Sequence, residues 1–418
     1  MSASVIKPII EQHAENAAFL WIQRDAAVSE PHYSLKDLAH LDDRLEAHID
    51  GLRIAGDVGW EICQEALALE EPGEVFIAAL LAFESEDGRW LDEAVSVGEK
   101  TPETWRALVS AISWVGTEHF QRWAPAMQRS SRSSYKQLVM AGDAAHRRDP
   151  GNALMLALND SDPVCLARAL RAVGQLKRHD LLPYLQQHFT SEDNSCRFWA
   201  AQSAALLGNS DALEVLKTFA QAESSYCEQA LQVLLRRMPA PDAVTWLRVL
   251  SENPGARRLA VLGAGIIGDP LYIPWLIKLM GVPELARLAG ESFSMITGVD
   301  LAYDDLEGEW PEGFEAGPTE NPEDENVEMD QDEDLPWPEP ALLEVWWQNN
   351  EANFQTGQRY LVGSIISEEH CKKVLTSGFQ RQRRAAALEL ALLQKDVPLF
   401  NVFAEGANQQ RRLKQGVV

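Results

Sequence analysis

A chain of 418 residues, 46% of them hydrophobic, is long enough to bury a sizeable core, either as two or three compact domains or as one elongated repeat array. Its 63 carboxylates against 37 lysines and arginines leave a formal charge of -26, which excludes non-specific attraction to nucleic acid or anionic membrane and favours a soluble protein or a basic partner. No apolar run is long enough to span a bilayer, Met1–His13 has no basic stretch leading into an apolar core, and 5 scattered cysteines make no disulfide framework, so a cytoplasmic location is expected.

In chain order, Ile10, Ala14, Ala17, Ala18 and Trp21 fall at helical spacing, and Leu38, Leu41, Leu45, Ile49 and Leu52 repeat the habit. Helices are predicted next at Trp60–Leu69, Val75–Phe83, Trp90–Val97, Trp105–Val115 and Phe120–Met127, parted by Glu71-Pro-Gly, Glu86-Asp-Gly, Thr101-Pro and Gly116-Thr. The serine-rich run Arg129–Ser134 reads as a loop.

From Gly151 to Gly281 a helix-turn-helix unit recurs about every thirty residues. Its first helices start near Asp162, Cys196, Cys227 and Pro254. The shorter second helices start near Asp180, Asp211, Asp242 and Asp269. Gly174, Gly208 and Gly268 suit the left-handed close of a helix, the following Asp suits a cap, and Pro270 suits a first helical position. One such hairpin cannot bury its apolar face alone, whereas a stack can. The pattern resembles HEAT repeats, a likeness that implies an all-α αα-hairpin solenoid and, most often, protein binding. Four parts are expected: an N-terminal helical region with degenerate repeats over 1–150, HEAT-like repeats over 151–300, an acidic Pro-rich insertion over 301–341 and a C-terminal helical region over 342–418.

Between Arg287 and Arg359 there is no lysine or arginine, while carboxylates crowd together with prolines. Like charges repel and proline blocks helix, so the insertion is expected to be extended, mobile and disordered. Within it Trp310, Phe314 and Trp337 alternate with Glu323, Asp324, Glu325, Asp330, Asp332, Glu333 and Asp334. A solubilising linker is the default reading of such a stretch; yet aromatic anchors in a negative field are what a segment docking on a basic cleft needs, and these ten residues are the candidate partner-binding set.

Other motifs have plainer readings. Gly263-Ala-Gly265-Ile-Ile-Gly268 satisfies G-x-G-x-x-G, but Asp269-Pro270 follows and the repeat phase demands helix, so tight helix packing is expected in place of a dinucleotide site. Cys165, Cys196 and Cys227 stand one repeat apart, too far to share a zinc ion, and read as small buried residues. Asp330-Gln-Asp332-Glu-Asp334 mimics the start of an EF-hand loop, yet Leu335 and Ala341 occupy the positions that need Gly and Glu. Lys217, Arg248 and Lys278 lie about one repeat apart on second helices; they read as a solvated face, or else as a ridge for an acidic element such as the chain's own insertion. The histidines, among them His13 and His48, read as helix-surface residues; no catalytic residue, metal or cofactor is assigned.

Three stretches together, Phe293–Leu301, Asp334-Leu-Pro-Trp-Pro-Glu-Pro with Trp346-Trp347, and Arg359-Tyr-Leu-Val-Gly before Gly378–Ala387, are similar to HEAT-like proteobacterial proteins encoded beside type VI secretion genes. That resemblance implies a partner in an effector cluster. Its sharpest form is an immunity protein that neutralises a basic toxin domain, conceivably a nuclease, with no direct contact to nucleic acid or membrane. An adaptor that loads an effector onto the secretion spike is the second reading, and a HEAT-like lyase-type enzyme the third.

Overall fold

A computed structural model of the chain describes residues 5–221, 224–318 and 329–416. They fall into two compact units, one formed by Met1–Ala212 with Gln394–Val418 and the other by Leu213–Leu393. Apart from one short hairpin and an isolated bridge between Glu307 and Pro338, the regular secondary structure among the described residues is helical.

Unit one opens with α1 (Lys7–Ala27), α2 (Leu35–Ala55) and α3 (Asp57–Ala66), followed by α4 (Pro72–Glu84), α5 (Gly88–Gly98) and α6 (Pro102–Trp114). It continues through α7 (Thr117–Arg129), α8 (Ser133–Ala145), α9 (Asn152–Ala157), α10 (Pro163–Gln175), α11 (Leu182–Gln187) and α12 (Asn194–Leu206). Helices α4, α6, α8, α10 and α12 pack side by side as one row. Small residues permit this approach: a Cβ on Gly174 would lie 2.7 Å from the Ser203 Cα, and one on Gly142 would lie 2.5 Å from the Phe120 ring. Helix α4 is buried from Val75 to Phe83 and serves as the core of this row.

Helix starts follow local chemistry. Thr101 and Thr104 form a capping box on α6, and Ser34 with Asp37 forms one on α2. Asp162 and Asp193 cap α10 and α12 through the Val164 and Cys196 amides. Three local expectations need correction. Helix α10 runs through Gly174, and the left-handed residue that follows it is Lys177 (φ 57°), because Gly174 is needed for packing and not for the turn. Asp180 pairs with Arg178 and caps nothing. The serine-rich run is loop only over 130–132, since Ser133 already opens α8.

The C-terminal helix α22 (Gly406–Lys414; the intervening labels are assigned below) returns to α2 in unit one. A buried ion pair holds it there. Arg24 Nε lies 3.1 Å from Asp42, its Nη2 donates to the Phe403 and Ala404 carbonyls at 2.7 and 2.9 Å, and Asp42 accepts the Gly406 amide at 2.6 Å.

His146, at the end of α8, stacks on Phe120 with ring centroids 5.4 Å apart, and its Nε2 lies 3.0 Å from the Ile112 carbonyl. Burial, joined by the positive charge of Arg148, holds its pKa below the ordinary 6.5 against the opposing pull of that carbonyl. The folded state therefore binds the proton more weakly than the unfolded one. Stability carried by His146 is present above about pH 6.5 and is lost as pH falls through the lower folded value. We expect the thermal midpoint to drop between pH 7.5 and 5.5, and to drop less in His146→Gln; an identical slope in the two proteins would remove His146 from the account.

Unit two contains most of α13 (Ala212–Ala220) and then α14 (Cys227–Arg237), α15 (Ala240–Glu252), α16 (Arg257–Ile267), α17 (Ile273–Leu279) and α18 (Pro283–Thr297). After the acidic stretch come α19 (Pro340–Asn350), the two-residue strands β1 (Tyr360–Leu361) and β2 (Ser364–Ile365), α20 (Glu368–Ser377) and α21 (Gln380–Leu393). First helices α14, α16 and α18 again form a row. β1 and β2 pair antiparallel, Tyr360 opposite Ile365, and the hairpin closes two helix ends: the Tyr360 amide donates to the Gly268 carbonyl and the Val362 amide to that of Met295. Gly268, at φ 74°, sits against this strand, where an added Cβ would meet the Tyr360 oxygen.

Candidate protein-docking site

The acidic stretch departs from expectation throughout its described parts. It is neither extended nor loose there; residues 299–318 and 329–339 form two limbs laid over α16 and α18. The limbs pair with each other, the Gly308 amide donating to the Trp337 carbonyl at 2.8 Å and the Glu339 amide to that of Leu306 at 3.0 Å. Leu306, Leu335 and Pro338 are buried beneath them, Pro338 against Gly290 of α18.

Counter-charge comes from the helices below. Arg258 of α16 makes a two-pronged contact with Asp332, Nη1 to Oδ2 at 2.7 Å and Nη2 to Oδ1 at 2.6 Å. Arg287 of α18 donates to the Asp332 carbonyl at 2.8 Å and to Asp330 Oδ1 at 2.9 Å. Its guanidinium also lies against two indoles, 5.0 Å from the Trp310 centroid and 5.4 Å from that of Trp337. Trp310, Phe314 and Trp337 form a mutual triangle with centroids 5.1 to 5.7 Å apart, and the Trp310 Nε1 donates to the Phe314 carbonyl. Burial alone would push the Asp330 carboxyl up, but the Arg287 guanidinium and the Asp332 amide outweigh it and hold it below its ordinary value.

The predicted partner-binding residues thus divide into groups. Asp330 and Asp332 are engaged by the chain itself, Asp332 being only 5% exposed, and their charges face inward; this corrects their reading as carboxylates presented to a partner. Glu333 and Asp334 are exposed, as are Glu309, Glu312 and Glu315. Trp310 is 51% exposed at the top of the aromatic triangle, with Phe314 and Trp337 half-buried below it. Glu323, Asp324 and Glu325 lie outside the described residues. What results is an aromatic anchor bordered by carboxylates on a braced support, not a chain of charges in solvent.

Lys217, Arg248 and Lys278 read from the sequence as a solvated face, with a cationic ridge as the alternative. Lys217 pairs with Glu214 one turn away, while Arg248 and Lys278 are exposed on their own helices. The arginines that hold the insertion are Arg258 and Arg287, on first helices. The available signal was their spacing of about one repeat just upstream of a long stretch without any cation.

The other motifs resolve by packing. Gly263 and Gly265 lie inside α16, where a dinucleotide site would require a strand-to-helix turn; added Cβ atoms would come within 2.5 Å of Leu247 and 3.0 Å of Ser292. Cys165, Cys196 and Cys227 are buried free thiols, and burial pushes the first two up to about 12. His13 and His48, read as surface residues, face each other across α1 and α2 with Nδ1 atoms 3.0 Å apart.

A sequence model of the family described as HEAT repeats matches residues 151–236. The chain carries HEAT-like repeats. The matched segment spans α9 to α14 and holds the capped, closely packed first helices described above. No curated protein matches the chain. Repeats of this kind build helical scaffolds often used for protein interaction, and no helix among the described residues is long and apolar enough to cross a membrane.

Proposed function

We propose that this chain is a protein-binding scaffold, not an enzyme, and that its docking surface is the acid-bordered aromatic platform of unit two. One observation carries this reading: Trp310 stands half out of solvent on a triangle of rings braced by Arg287, and Glu309, Glu312 and Glu315, its near neighbours in sequence, are exposed carboxylates. An exposed tryptophan on a rigid support is a typical binding hot spot, and exposed charge of one sign selects a basic partner and speeds its capture.

The finer reading rests on the resemblance to HEAT-like proteins of type VI secretion clusters. The basic partner is then a toxin effector domain, and the chain is its immunity protein; an adaptor that loads the effector is the second reading. Growth on co-expression with the effector separates them, because only immunity restores growth. For the platform itself, the partner recovered from the native host and identified by mass spectrometry should bind with an affinity that falls steeply between about 50 and 300 mM salt. Trp310→Ala should weaken it by at least about tenfold, as loss of a hot spot does. Affinity indifferent to both salt and Trp310→Ala would place the docking surface elsewhere.

A further inference from the structure

Unit one holds a second feature of opposite sign. A cleft of about 170 Å³ opens across the N-terminal halves of α8, α10 and α12, lined among others by Gln137, Val164, Arg168, Arg171, Ser195 and Trp199. The Arg171 guanidinium lies 4.3 Å from the Trp199 ring centroid, flat cation against aromatic face. Arg168 is partly buried beside it, and among the described residues it has no ion-pair or hydrogen-bond partner. In a chain of charge -26, with carboxylates to spare, a desolvated arginine left without one is an anomaly.

The surroundings sharpen it. Burial pushes Arg168 down to about 9, and neighbouring Arg171 adds to the effect. Arg147 and Arg412 add further positive charge to the same neighbourhood, and Arg147 directs its Nε to the Leu399 carbonyl at 2.6 Å, not to an acid. Asp193 also lines the cleft, but its carboxylate caps α12 through the Cys196 amide at 2.8 Å. Clefts for metabolites run to roughly 300–1,000 Å³, so about 170 Å³ has room for one side chain and not for a cofactor. Unit two displays the chemistry such a site requires, with the Asp332 carboxylate on the Arg258 fork and indoles against Arg287.

We propose that the Arg168–Arg171–Trp199 cleft is a binding site for one glutamate or aspartate side chain of a partner polypeptide, with an adjoining apolar or aromatic residue packing on Trp199. Binding discharges the Arg168 anomaly by giving its guanidinium a carboxylate in a partly dry site, the setting in which such a pair is strongest. This site is independent of the acidic platform of unit two, and either can fail without the other.

The test is peptide display on the full chain, using random dodecapeptides. The wild-type protein should enrich sequences with Glu or Asp beside an apolar or aromatic residue, and the best of them, resynthesised, should bind at least about tenfold more weakly to Arg168→Gln. Arg168 has no partner to lose, so that variant should keep its melting temperature. Val164→Trp, which fills the cleft from an exposed position and leaves both arginines in place, should abolish the enrichment as well. Enrichment without an acidic preference, or equal enrichment by wild type and Arg168→Gln, would overturn the proposal. So would displacement of the peptide by inorganic phosphate at low millimolar concentration, which would make this a small-anion site.

Discussion

Glu389→Ala will destabilise unit two by about 3–5 kcal/mol, the largest loss we expect from any single substitution in this chain. Glu389 on α21 is buried and serves two arginines at once. The Arg236 Nε, on α14, lies 3.0 Å from its Oε1, and Arg359 reaches it with both terminal nitrogens, Nη1 at 3.2 Å from Oε2. Arg236 is itself buried, and that burial pushes its pKa down to about 10 even with the Glu389 carboxylate beside it raising it. Removing the carboxylate leaves a buried guanidinium without its counter-charge, held only by its Nη1 bonds to the Gln232 carbonyl and side chain. It also frees Arg359, whose remaining donors close the C-terminal end of α16 by bonding the Ile266 and Ile267 carbonyls. In a unit of this size the thermal midpoint should fall by roughly 10 °C. A compensating change tests the cause: Arg236→Met together with Glu389→Leu removes both buried charges and should recover most of the loss, as replacement of a buried pair by apolar groups does. If the double variant is no more stable than Glu389→Ala, the loss comes from packing and not from the stranded charge.

Arg287→Ala should cost about 2–4 kcal/mol and, unlike Glu389→Ala, should act on one segment. The figure is smaller because Asp330 is near enough to the surface to regain water. Four contacts vanish together: the bond to Asp330, the bond to the Asp332 carbonyl and the two indole faces. The acidic limbs then keep only Arg258 as counter-charge. Arg287→Lys preserves charge but neither the fork nor the flat stacking surface, and should fall between wild type and alanine. Acid should mimic the loss. The pKa of Asp330 is held below its ordinary 3.8, so the stability it carries is complete above that value and drains away as pH falls through the lower folded one. Tryptophan emission offers a readout, since Trp310 and Trp337 gain solvent when the limbs lift. Unchanged emission in Arg287→Ala would mean that the platform is held by other contacts.

The contrast between the repeats and the insertion explains what was legible in the sequence. Helices α10, α12, α14 and α16 could be placed because their causes are local: apolar residues at helical spacing and, for α10, Asp162 one residue before the helix it caps. Gly174 misled because a glycine near a helix end serves equally as a left-handed close or as a gap for a neighbouring helix, and only the position of Ser203 decides between them. The described limbs of the insertion differ from the expectation for a deeper reason. Its composition, rich in carboxylate and proline, reads as disorder when its own neighbours in sequence supply the only charges considered. Its counter-charges are Arg258 and Arg287, and Arg258 stands 74 residues before the aspartate it binds. Repulsion estimated along the chain vanishes when the fold brings cations underneath. The aromatic residues were the sign that pointed the right way, since Trp310, Phe314 and Trp337 serve no purpose in a solvated linker.

Amide hydrogen exchange on the full chain tests most directly whether the acidic stretch is a built surface. Our account predicts that the amides of Leu306, Gly308, Leu335 and Glu339, each bonded to a backbone carbonyl, exchange far more slowly than in a free peptide of the same sequence. It further predicts that this protection is lost in Arg287→Ala while that of α16 and α18 persists. Exchange of residues 301–318 and 329–339 at the free-peptide rate in the wild-type protein would contradict it, and with it the platform on which the proposed binding depends.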